Sequence, residues 1–551
     1  MEKTLCAMIN NSVTRYWNLP AMADYEGEAI TYGDVANRIA RLHALFSGLK
    51  VKPGDKIALL GKNSLDWAVT YLATVSFRAV VVPILPDFKT NDIHHIVNHS
   101  DALILFTTRA TAESLDETKM LSLDYIFSLD NLELIHSSRK NVDKALKKIA
   151  EEYRDAGKRP LSADSFHSAE AEPGDLACLS YTSGTTGFSK GVMLTHANLQ
   201  ANVLFAQKNM PLKPEDRILS FLPLAHAYGC AFEFLFPFSS GCFITFLGRT
   251  PTPRTIIEAF SAIKPHLVLS VPLIMEKIYK KQIKPVLESG KMKILTSLPP
   301  LKKVVYRKIR RRLIELFGAN FHEVVIGGAA LNAEVELFLK AIEFPFTSGY
   351  GMTECAPLIS YSNWKITRTY SVGRPVDGME VRIASPDPVN VVGEILTRGV
   401  NVFRGYYKNP ETTAETIDQD GWLHTGDLGI MDQDGFIYIK GRCKNMILDS
   451  SGQNVYPEEI EAKLNNLPYV GESLVVESEG KLIALVYPDL ELVDQQGLQE
   501  NELKTLMEKN RQTLNSDLPS FSRITRIDLY PEEFEKTATK KIKRFLYSIG
   551  G

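Results

Sequence analysis

Short runs of apolar residues, bounded by glycine, proline or aspartate, recur between residues 57 and 326 of the chain. Runs of this length with turn residues at their ends are typical of buried strands. The stretches between them carry apolar residues every three or four positions, as at 301–317, which predicts amphipathic helices. This alternation predicts an α/β fold in which helices cover β-sheets. The predicted strands are 57–60, 79–84, 102–106, 267–271 and 324–326.

The pattern changes after Gly435. A strand is predicted at 436–440, a Gly/Ser loop at 450–452, a short helix from Pro457, and strands near 473–476 and 482–486. This order predicts a small α+β unit of about 110 residues at the C-terminal end.

The longest apolar region, at 228–247, is interrupted by Glu233, Pro237, Ser239, Ser240 and Gly241. A transmembrane helix needs about 20 nearly continuous apolar residues. The region therefore predicts a buried helix, a turn and a strand.

Composition narrows the class of protein. The 63 basic and 65 acidic residues give a net charge of −2, so nucleic acid is not an expected partner. The six cysteines form no C-x-x-C pair, and the N-terminus shows no apolar signal-peptide core. A reducing, cytoplasmic location is expected.

One predicted helix is strongly basic. Residues 301–313 contain seven Lys or Arg side chains and no acid. Two interpretations stay open, an ordinary solvated face or a surface that attracts an anionic ligand or lipid. The second interpretation predicts peripheral membrane contact through residues 301–313.

The sharpest chemical signal is YTSGTTGFSKGV at 181–192, which follows the apolar run 176–179. Glycines at 184, 187 and 191 let the backbone approach a ligand closely, and hydroxyl groups with Lys190 add donors and a positive charge. This combination predicts a polyphosphate site, although the spacing is not that of a Walker loop.

The stretch resembles the phosphate loop of the adenylate-forming superfamily, which includes acyl-CoA ligases, nonribosomal peptide adenylation domains and firefly-type luciferases. Six further motifs of that superfamily follow in the expected order. They are LPLAHAYG at 222–229, GGAAL at 327–331, YGMTE at 350–354, WLHTGD at 422–427, GRCKN at 441–445 and KTATKKIKR at 536–544.

The resemblance implies the site residues. Those implied to act in catalysis are Lys541, Thr353, Glu354 and His226, with His226 lining the acyl pocket rather than accepting a proton. Glu354 offers a hard oxygen ligand for Mg²⁺, and Thr185 is its implied companion. The implied nucleotide- and CoA-binding residues are Thr182, Ser183, Gly184, Thr185, Thr186, Gly187, Lys190, Gly328, Ala329, Ala330, Gly349, Tyr350, Gly351, Met352, Thr353, Asp427, Ile439, Arg442, Lys444, Gly452, Gln453 and Lys541.

Several of these assignments have a physical basis of their own. Two anions at contact distance repel by several kcal/mol in a partly desolvated site, so attack of a carboxylate on a phosphate requires cations around it. Lys541 is the expected cation, Asp427 can accept both ribose hydroxyls, and Tyr350 offers a ring for adenine. Without the resemblance, residues 536–551 would be interpreted as a frayed basic tail.

Two positions depart from the superfamily's pattern. Lys540 occupies a position where glycine is usual, and Ser189 one where proline is usual. Lys541 is assigned by its register with Thr537 and Thr539.

The resemblance also implies a fold and a motion. A large domain, residues 1–441, holds the ATP and acyl sites, and a small mobile α+β domain, residues 442–551, carries the catalytic lysine. The small domain is expected to turn about Lys444, so that one site supports adenylation and then thioester formation. In the second pose, Gly452 and Gln453 would approach the nucleotide, although an ordinary turn is the alternative there.

The implied function is an ATP- and Mg²⁺-dependent fatty acid–CoA ligase with coenzyme A as co-substrate. Aromatic residues after His226, and the similarity of SVPLIMEKIY at 270–279 to long-chain acyl-CoA synthetases, favour a long hydrocarbon chain. Alternatives are a medium-chain or aryl acid, an acyl carrier protein as acceptor, and a non-catalytic acyl-adenylate or nucleotide sensor. A sensor is expected to lack Glu354 or the terminal lysine, and both are present.

Overall fold

The first sheet of the large part has seven strands, formed mostly from the apolar runs predicted above. The computed structural model describes residues 3–140, 146–147, 161–182, 189–448, 453–537 and 541–547. Five central strands of this sheet run parallel and each edge strand is antiparallel to its neighbour. The strand order is Leu134–Ser137, Tyr125–Ser128, Ala102–Thr107, Lys56–Leu60, Val80–Ile84, Leu176–Thr182 and Lys190–Thr195. The strand predictions at 57–60, 79–84 and 102–106 are confirmed.

Two smaller sheets complete the α/β part. The strands Val268–Ser270, Val324–Ile326 and Phe346–Ser348 form a parallel sheet, which confirms the predictions at 267–271 and 324–326. A four-stranded sheet has the order Arg217–Ser220, Phe243–Phe246, Pro20–Asp24 and Ile30–Thr31.

The apolar region 228–247 forms a buried helical segment followed by a strand, as predicted. Helix Ala227–Gly229 continues as the π-helical turn Cys230–Leu235 and helix Phe236–Ser239, before strand Phe243–Phe246. Among the described residues, no helix has the length and apolar character needed to cross a bilayer.

The other helices of the large part surround these sheets. The amphipathic helix predicted at 301–317 is found as Pro299–Leu316. The remaining helices are Leu5–Arg15, Tyr32–Gly48, Leu65–Ser76, Thr90–Ser100, Arg109–Glu113, His196–Asn209, Pro253–Ile263, Pro272–Ile278, Lys284–Glu288, Gly290–Ser297, Ala333–Ala341 and Pro410–Thr416.

Two antiparallel sheets lead from the large part towards the C-terminal unit. One has strands Tyr350–Gly351, Leu358–Tyr361 and Arg374–Pro375; the other has Met379–Ala384, Gly393–Gly399, Leu423–Met431 and Ile437–Arg442. The strand predicted at 436–440 is present as Ile437–Arg442, at the end of the predicted large domain. It pairs with Leu423–Met431.

The C-terminal unit has a core of its own. Its strands Val470–Ser478, Lys481–Pro488 and Arg526–Leu529 form one sheet, and Ile447–Leu448 pairs with Asn454–Val455. Its helices are Pro457–Leu464, Leu490–Gln496 and Glu500–Ser516. Buried residues such as Ile460, Leu464, Val486 and Met507 pack together there, separately from the core of the large part.

Candidate active site

A cleft of ≈ 3150 Å³ lies between the large part and the C-terminal unit. Two of its edges are segments that directly follow the parallel strands Val324–Ile326 and Phe346–Ser348, and Thr182 at the end of strand Leu176–Thr182 also lines it. The carboxyl ends of parallel strands are where ligands bind in α/β folds. The cleft is therefore the candidate site.

The structure brings most of the predicted site residues to this cleft. Those that line it are Thr182, Lys190, His226, Gly328, Ala329, Ala330, Gly349, Tyr350, Gly351, Met352, Thr353, Glu354, Asp427, Ile439, Arg442, Lys444 and Lys541. Gln453 is exposed and is not among the lining residues. Ser183, Gly184, Thr185, Thr186, Gly187 and Gly452 lie outside the described residues.

Two glycines of the cleft are required by backbone geometry. Gly328 has φ +88°, in the left-handed region that other residues rarely adopt. A Cβ atom on Gly351 would lie 2.1 Å from the carbonyl oxygen of Pro357. The backbone of both motifs can therefore approach a ligand without an intervening side chain.

Asp427 lies at the centre of a polar network. Tyr350 donates its hydroxyl to Oδ2 of Asp427 at 2.7 Å, and Arg442 Nε lies 2.7 Å from Oδ1. Burial alone would lower the pKa of Arg442, but Asp427, together with Tyr350 and Glu354, outweighs this and raises it. Sequence reasoning gave Tyr350, Asp427 and Arg442 separate roles, whereas the structure joins them into one unit.

Glu394 fixes the loop that carries Asp427. Its two carboxylate oxygens accept from Gly426 N–H at 2.9 Å and contact His424 Nδ1 at 2.9 Å. Thr425 donates to the carbonyl of Ile395 at 2.7 Å. Sequence reasoning missed Glu394, because nothing in the sequence links it to a motif about thirty residues away.

Glu354 is buried and is oriented by Tyr406. The Tyr406 hydroxyl donates to Oε1 of Glu354 at 2.8 Å, and the Tyr406 ring lies under the Lys190 ammonium, 5.0 Å from the ring centroid. Tyr406 therefore connects the expected metal ligand with the end of the phosphate loop. The sequence offers no signal for it beyond a pair of adjacent tyrosines.

The donor set around Glu354 suits a magnesium ion that is held mainly by phosphate oxygens. No cluster of three His, Cys, Asp or Glu side chains that could cage a metal occurs in the described part of the chain. Mg²⁺ is usually bound by one or two carboxylates together with substrate phosphates and water. Glu354 meets that requirement.

The backbone of Lys541 is held by hydrogen bonds to Thr537. Thr537 N–H donates to the Lys541 carbonyl at 2.8 Å, and Lys541 N–H donates to Thr537 Oγ1 at 3.2 Å. Arg544 anchors the next turn through a double ion pair with Glu461, whose shorter contact is 2.7 Å. These contacts fix the positions of Lys541 and of Arg544, three residues further on.

Burial and the nearby Arg442 lower the pKa of Lys541, while Asp427 and Glu354 act in the opposite direction. The lysine is thus close enough to both carboxylates to respond to their charge. A bound anion near this lysine would favour its charged form.

His226 is neutral at physiological pH. Burial, and secondarily the Lys541 charge, lower its pKa to about 4. Its Nδ1 accepts from Tyr228 N–H at 3.3 Å. The imidazole therefore caps a turn and lines the cleft.

The wall beyond His226 is apolar. It includes Phe221, Leu222, Tyr228, Phe232 and Ile274. Tyr228 is held by a hydrogen bond from its hydroxyl to the carbonyl of Val325 at 3.0 Å.

Glu233 supports this wall from behind. Its Oε2 accepts from Phe221 N–H and Leu222 N–H, both at 2.9 Å, and the side chain is fully buried. Burial raises the pKa of Glu233 well above its usual range, although the two N–H groups lower it. The sequence shows Glu233 only as an interruption of an apolar run.

We expect Glu233→Ala to destabilise the large part by about 2–6 kcal/mol, because two buried N–H groups lose their acceptor. Glu233→Gln keeps an acceptor and is the matched control, with a smaller expected loss. Urea unfolding measures both. A Glu233→Ala variant as stable as Glu233→Gln would show that these hydrogen bonds contribute nothing.

The wild type and Glu233→Gln also test how the free energy of unfolding depends on pH. Since the folded state raises the pKa of Glu233 above its value of 4.5 in the unfolded chain, its stabilising contribution is complete below that pH and is lost as pH rises. The stability of the wild type relative to Glu233→Gln should therefore fall as the pH rises above about 4.5. A constant difference would contradict the raised pKa.

The C-terminal unit contacts the large part directly. Lys280 Nζ donates to the carbonyl of Asn465 at 2.7 Å, Lys281 pairs with Glu491 at 2.6 Å, and Asn332 donates to Asn466. These contacts hold the unit in the orientation that brings Lys541 to the cleft.

A comparison with known families matches residues 9–407 to the family described as AMP-binding enzyme. The chain belongs to the AMP-binding enzyme family. The match includes the phosphate loop, His226 and the motif at 350–354. The predicted membership of the adenylate-forming superfamily is confirmed, and the chain is a ligase.

Curated relatives of this AMP-binding enzyme cover most of its length. The long-chain-fatty-acid–CoA ligase FadD15 of Mycobacterium tuberculosis is 30% identical over 473 residues, which span 81% of this chain and 75% of that protein. The peroxisomal long chain acyl-CoA synthetase 6 of Arabidopsis thaliana is 29% identical over 564 residues, or 95% of this chain and 78% of that protein.

Solved structures confirm the predicted fold. The crystal structure of ATP-bound MatB from Rhodopseudomonas palustris has a TM-score of 0.76 and 22% identity, covering 99% of this chain and 98% of that one. The anthranilate CoA ligase AuaEII in complex with anthranoyl-AMP has a TM-score of 0.77 and 20% identity, with the same coverage.

Proposed function

We propose that this enzyme is an ATP-dependent fatty acid–CoA ligase that acts on long chains. The main support for the proposal is that Lys541, Glu354 and Asp427 line one cleft, which has an apolar wall beyond His226. The names of the curated relatives support the same activity.

In the proposed first step, a carboxylate oxygen of the acid attacks the α-phosphorus of ATP. A new O–P bond forms, the bond to the β-phosphate oxygen breaks, and pyrophosphate leaves. Lys541 would contact both the carboxylate and the bridging oxygen, which offsets the repulsion between the two anions. Asp427 would bind the ribose, and Thr353 would donate to the α-phosphate.

The magnesium ion would be held by Glu354 and, by sequence, Thr185. Its chemistry is to neutralise phosphate charge while pyrophosphate leaves. Lys190 and the remaining phosphate-loop residues would bind the phosphates through N–H, hydroxyl and ammonium donors.

In the proposed second step, the thiolate of coenzyme A attacks the acyl carbon. A C–S bond forms, the C–O bond of the mixed anhydride breaks, and AMP leaves. For this step we infer that the small domain, residues 442–551, turns about Lys444 and withdraws Lys541. Gly452 and Gln453 would then approach the nucleotide.

The apolar wall supports a hydrocarbon substrate. Each buried CH₂ group contributes roughly 0.8 kcal/mol, or about a fourfold gain in kcat/KM. We therefore expect kcat/KM to rise along a series of straight-chain acids into the long-chain range. Higher activity with aryl or short acids would contradict the assignment.

The acceptor is tested in the same assay by replacing coenzyme A with a holo acyl carrier protein. We expect turnover with free coenzyme A. Turnover with the carrier protein alone would contradict the proposed acceptor.

Phe232 and Phe234 offer a matched pair for the acyl wall. Both are buried in the same π-helical turn, but only Phe232 lines the cleft. Phe232→Leu should shift the preferred chain length because it enlarges the wall's space, whereas Phe234→Leu should leave the preference unchanged. Equal chain-length preferences in the two variants would show that the acyl chain does not contact Phe232.

A further inference from the structure

The segment 277–312 carries an extreme charge for this protein. It contains thirteen Lys or Arg residues and one acid, Glu288, whereas the whole chain has a net charge of −2. Such concentration on one short segment creates a local positive potential. We call the surface formed by residues 277–312 the basic face.

The basic face adjoins the candidate active site. Helix Pro272–Ile278 lines the cleft with Leu273 and Lys277, and Lys280 and Lys281 in the next turn also line it. Helices Lys284–Glu288, Gly290–Ser297 and Pro299–Leu316 then follow, separated by one-residue breaks. The surface is thus continuous with the cleft's rim.

Large apolar side chains are exposed in the middle of the basic face. Ile294 is 68% exposed, Leu298 49%, Leu301 39% and Val304 49%. They are spaced by three or four residues, and within helix Pro299–Leu316 this spacing puts Leu301 and Val304 on one side. Apolar side chains grouped in this way on a surface are typical of an interaction site rather than of a helix that only faces water.

Much of the positive charge has no acidic partner. Four of the thirteen basic side chains pair with acids: Lys281 with Glu491, Lys284 with Glu334, Arg310 with Glu343, and Arg311 with Glu315. The other nine form no ion pair with any residue that the structure describes. They are Lys277, Lys280, Lys291, Lys293, Lys302, Lys303, Arg307, Lys308 and Arg312.

We propose that the basic face docks on an anionic lipid bilayer, with the row Ile294, Leu298, Leu301 and Val304 inserted among the headgroups. Unpaired Lys and Arg residues attract anionic lipids, and an amphipathic surface with both features binds in the interface plane. The phosphates of coenzyme A would satisfy the charges but would leave the apolar row exposed to water. The combination therefore favours a bilayer.

Docking in this way would turn the rim at Leu273 towards the membrane. If the proposed function is correct, a long-chain acid dissolved in the bilayer could reach the cleft without crossing water. The docking itself does not depend on that activity, because it follows from charge and exposure alone.

Sedimentation of the full-length enzyme with vesicles tests the proposal without any substrate. We expect tighter binding to vesicles of phosphatidylcholine and phosphatidylglycerol than to phosphatidylcholine alone, and weaker binding as salt rises. Lys303→Gln/Lys308→Gln should weaken binding about 20- to 30-fold, since each basic residue near an anionic surface contributes about 1 kcal/mol.

The matched control is Lys481→Gln/Lys509→Gln, which removes two exposed lysines of the C-terminal unit. It should bind like the wild type. Leu301→Ser/Val304→Ser should also weaken binding, which separates insertion from simple charge attraction. Equal binding of all variants, or no preference for the anionic vesicles, would overturn the proposal.

A second measurement excludes the competing anion. The KM for coenzyme A should be the same in the wild type and in Lys303→Gln/Lys308→Gln. A rise in KM that parallels the loss of vesicle binding would assign the charge to coenzyme A and overturn the membrane role. Failure of the ligase activity with every fatty acid would instead reject the proposed function and leave the docking result intact.

Discussion

Lys541→Ala is expected to slow acyl-adenylate formation by about 10²–10³-fold, the scale for losing one charge that stabilises a transition state. The physical reason is the position of the ammonium group, which responds to Asp427, Glu354 and Arg442 together. Pyrophosphate release in single-turnover mixtures measures this step. Thioester formation from supplied acyl-adenylate should be nearly unchanged, because the lysine would be withdrawn before the thiol attacks.

Lys543→Ala is the matched control for that variant. Lys543 lies two residues away and pairs with Glu535 at 2.7 Å. Its substitution by alanine removes the same charge, two residues from Lys541. It should retain adenylation within a small factor. Equal losses in both half-reactions for Lys541→Ala would contradict the assigned role.

Asp427→Asn is expected to raise the KM for ATP by roughly 10- to 150-fold, because a hydrogen bond to a charged group contributes about 1.5–3 kcal/mol. Tyr350 can still donate to the asparagine oxygen, but Arg442 loses its ionic partner. Since the AMP part of the ligand is bound in both steps, the affinity for supplied acyl-adenylate should fall too. That shared loss distinguishes Asp427 from Lys541.

Asp432→Asn controls for the general effect of breaking an Asp–Arg pair. Asp432 contacts Arg368 at 2.5 Å and accepts from the Tyr438 hydroxyl at 3.0 Å, but it does not line the cleft. We expect its KM for ATP to match the wild type. A similar rise in both variants would attribute the Asp427 effect to a disturbed sheet rather than to lost ligand contacts.

Local patterns were sufficient to predict five of the parallel strands, because a strand covered on both faces needs an uninterrupted apolar run. Helix Pro299–Leu316 was predictable for the corresponding reason, its regular apolar spacing. The position of strand Ile437–Arg442 was predicted correctly. Its pairing with Leu423–Met431 was not predicted, because a local pattern does not contain sheet pairing.

In the candidate site, too, local motifs could be predicted from the sequence and long-range contacts could not. The resemblance identified the residues that line the cleft, since each lies within a short motif. It could not identify Tyr406 as the partner of Glu354 or Glu394 as the support of the Asp427 loop, because these contacts join residues far apart in sequence. The role of Glu233 could not be predicted either, because it depends on backbone N–H groups that only the fold brings close to its side chain.

Adenylation is tested most directly by fatty-acid-dependent exchange of pyrophosphate into ATP, measured with magnesium present and coenzyme A omitted. We predict exchange that requires the acid, increases towards long chains, and falls by about 10²–10³-fold in Lys541→Ala. Absence of exchange with every carboxylic acid offered, or undiminished exchange in Lys541→Ala, would contradict this prediction.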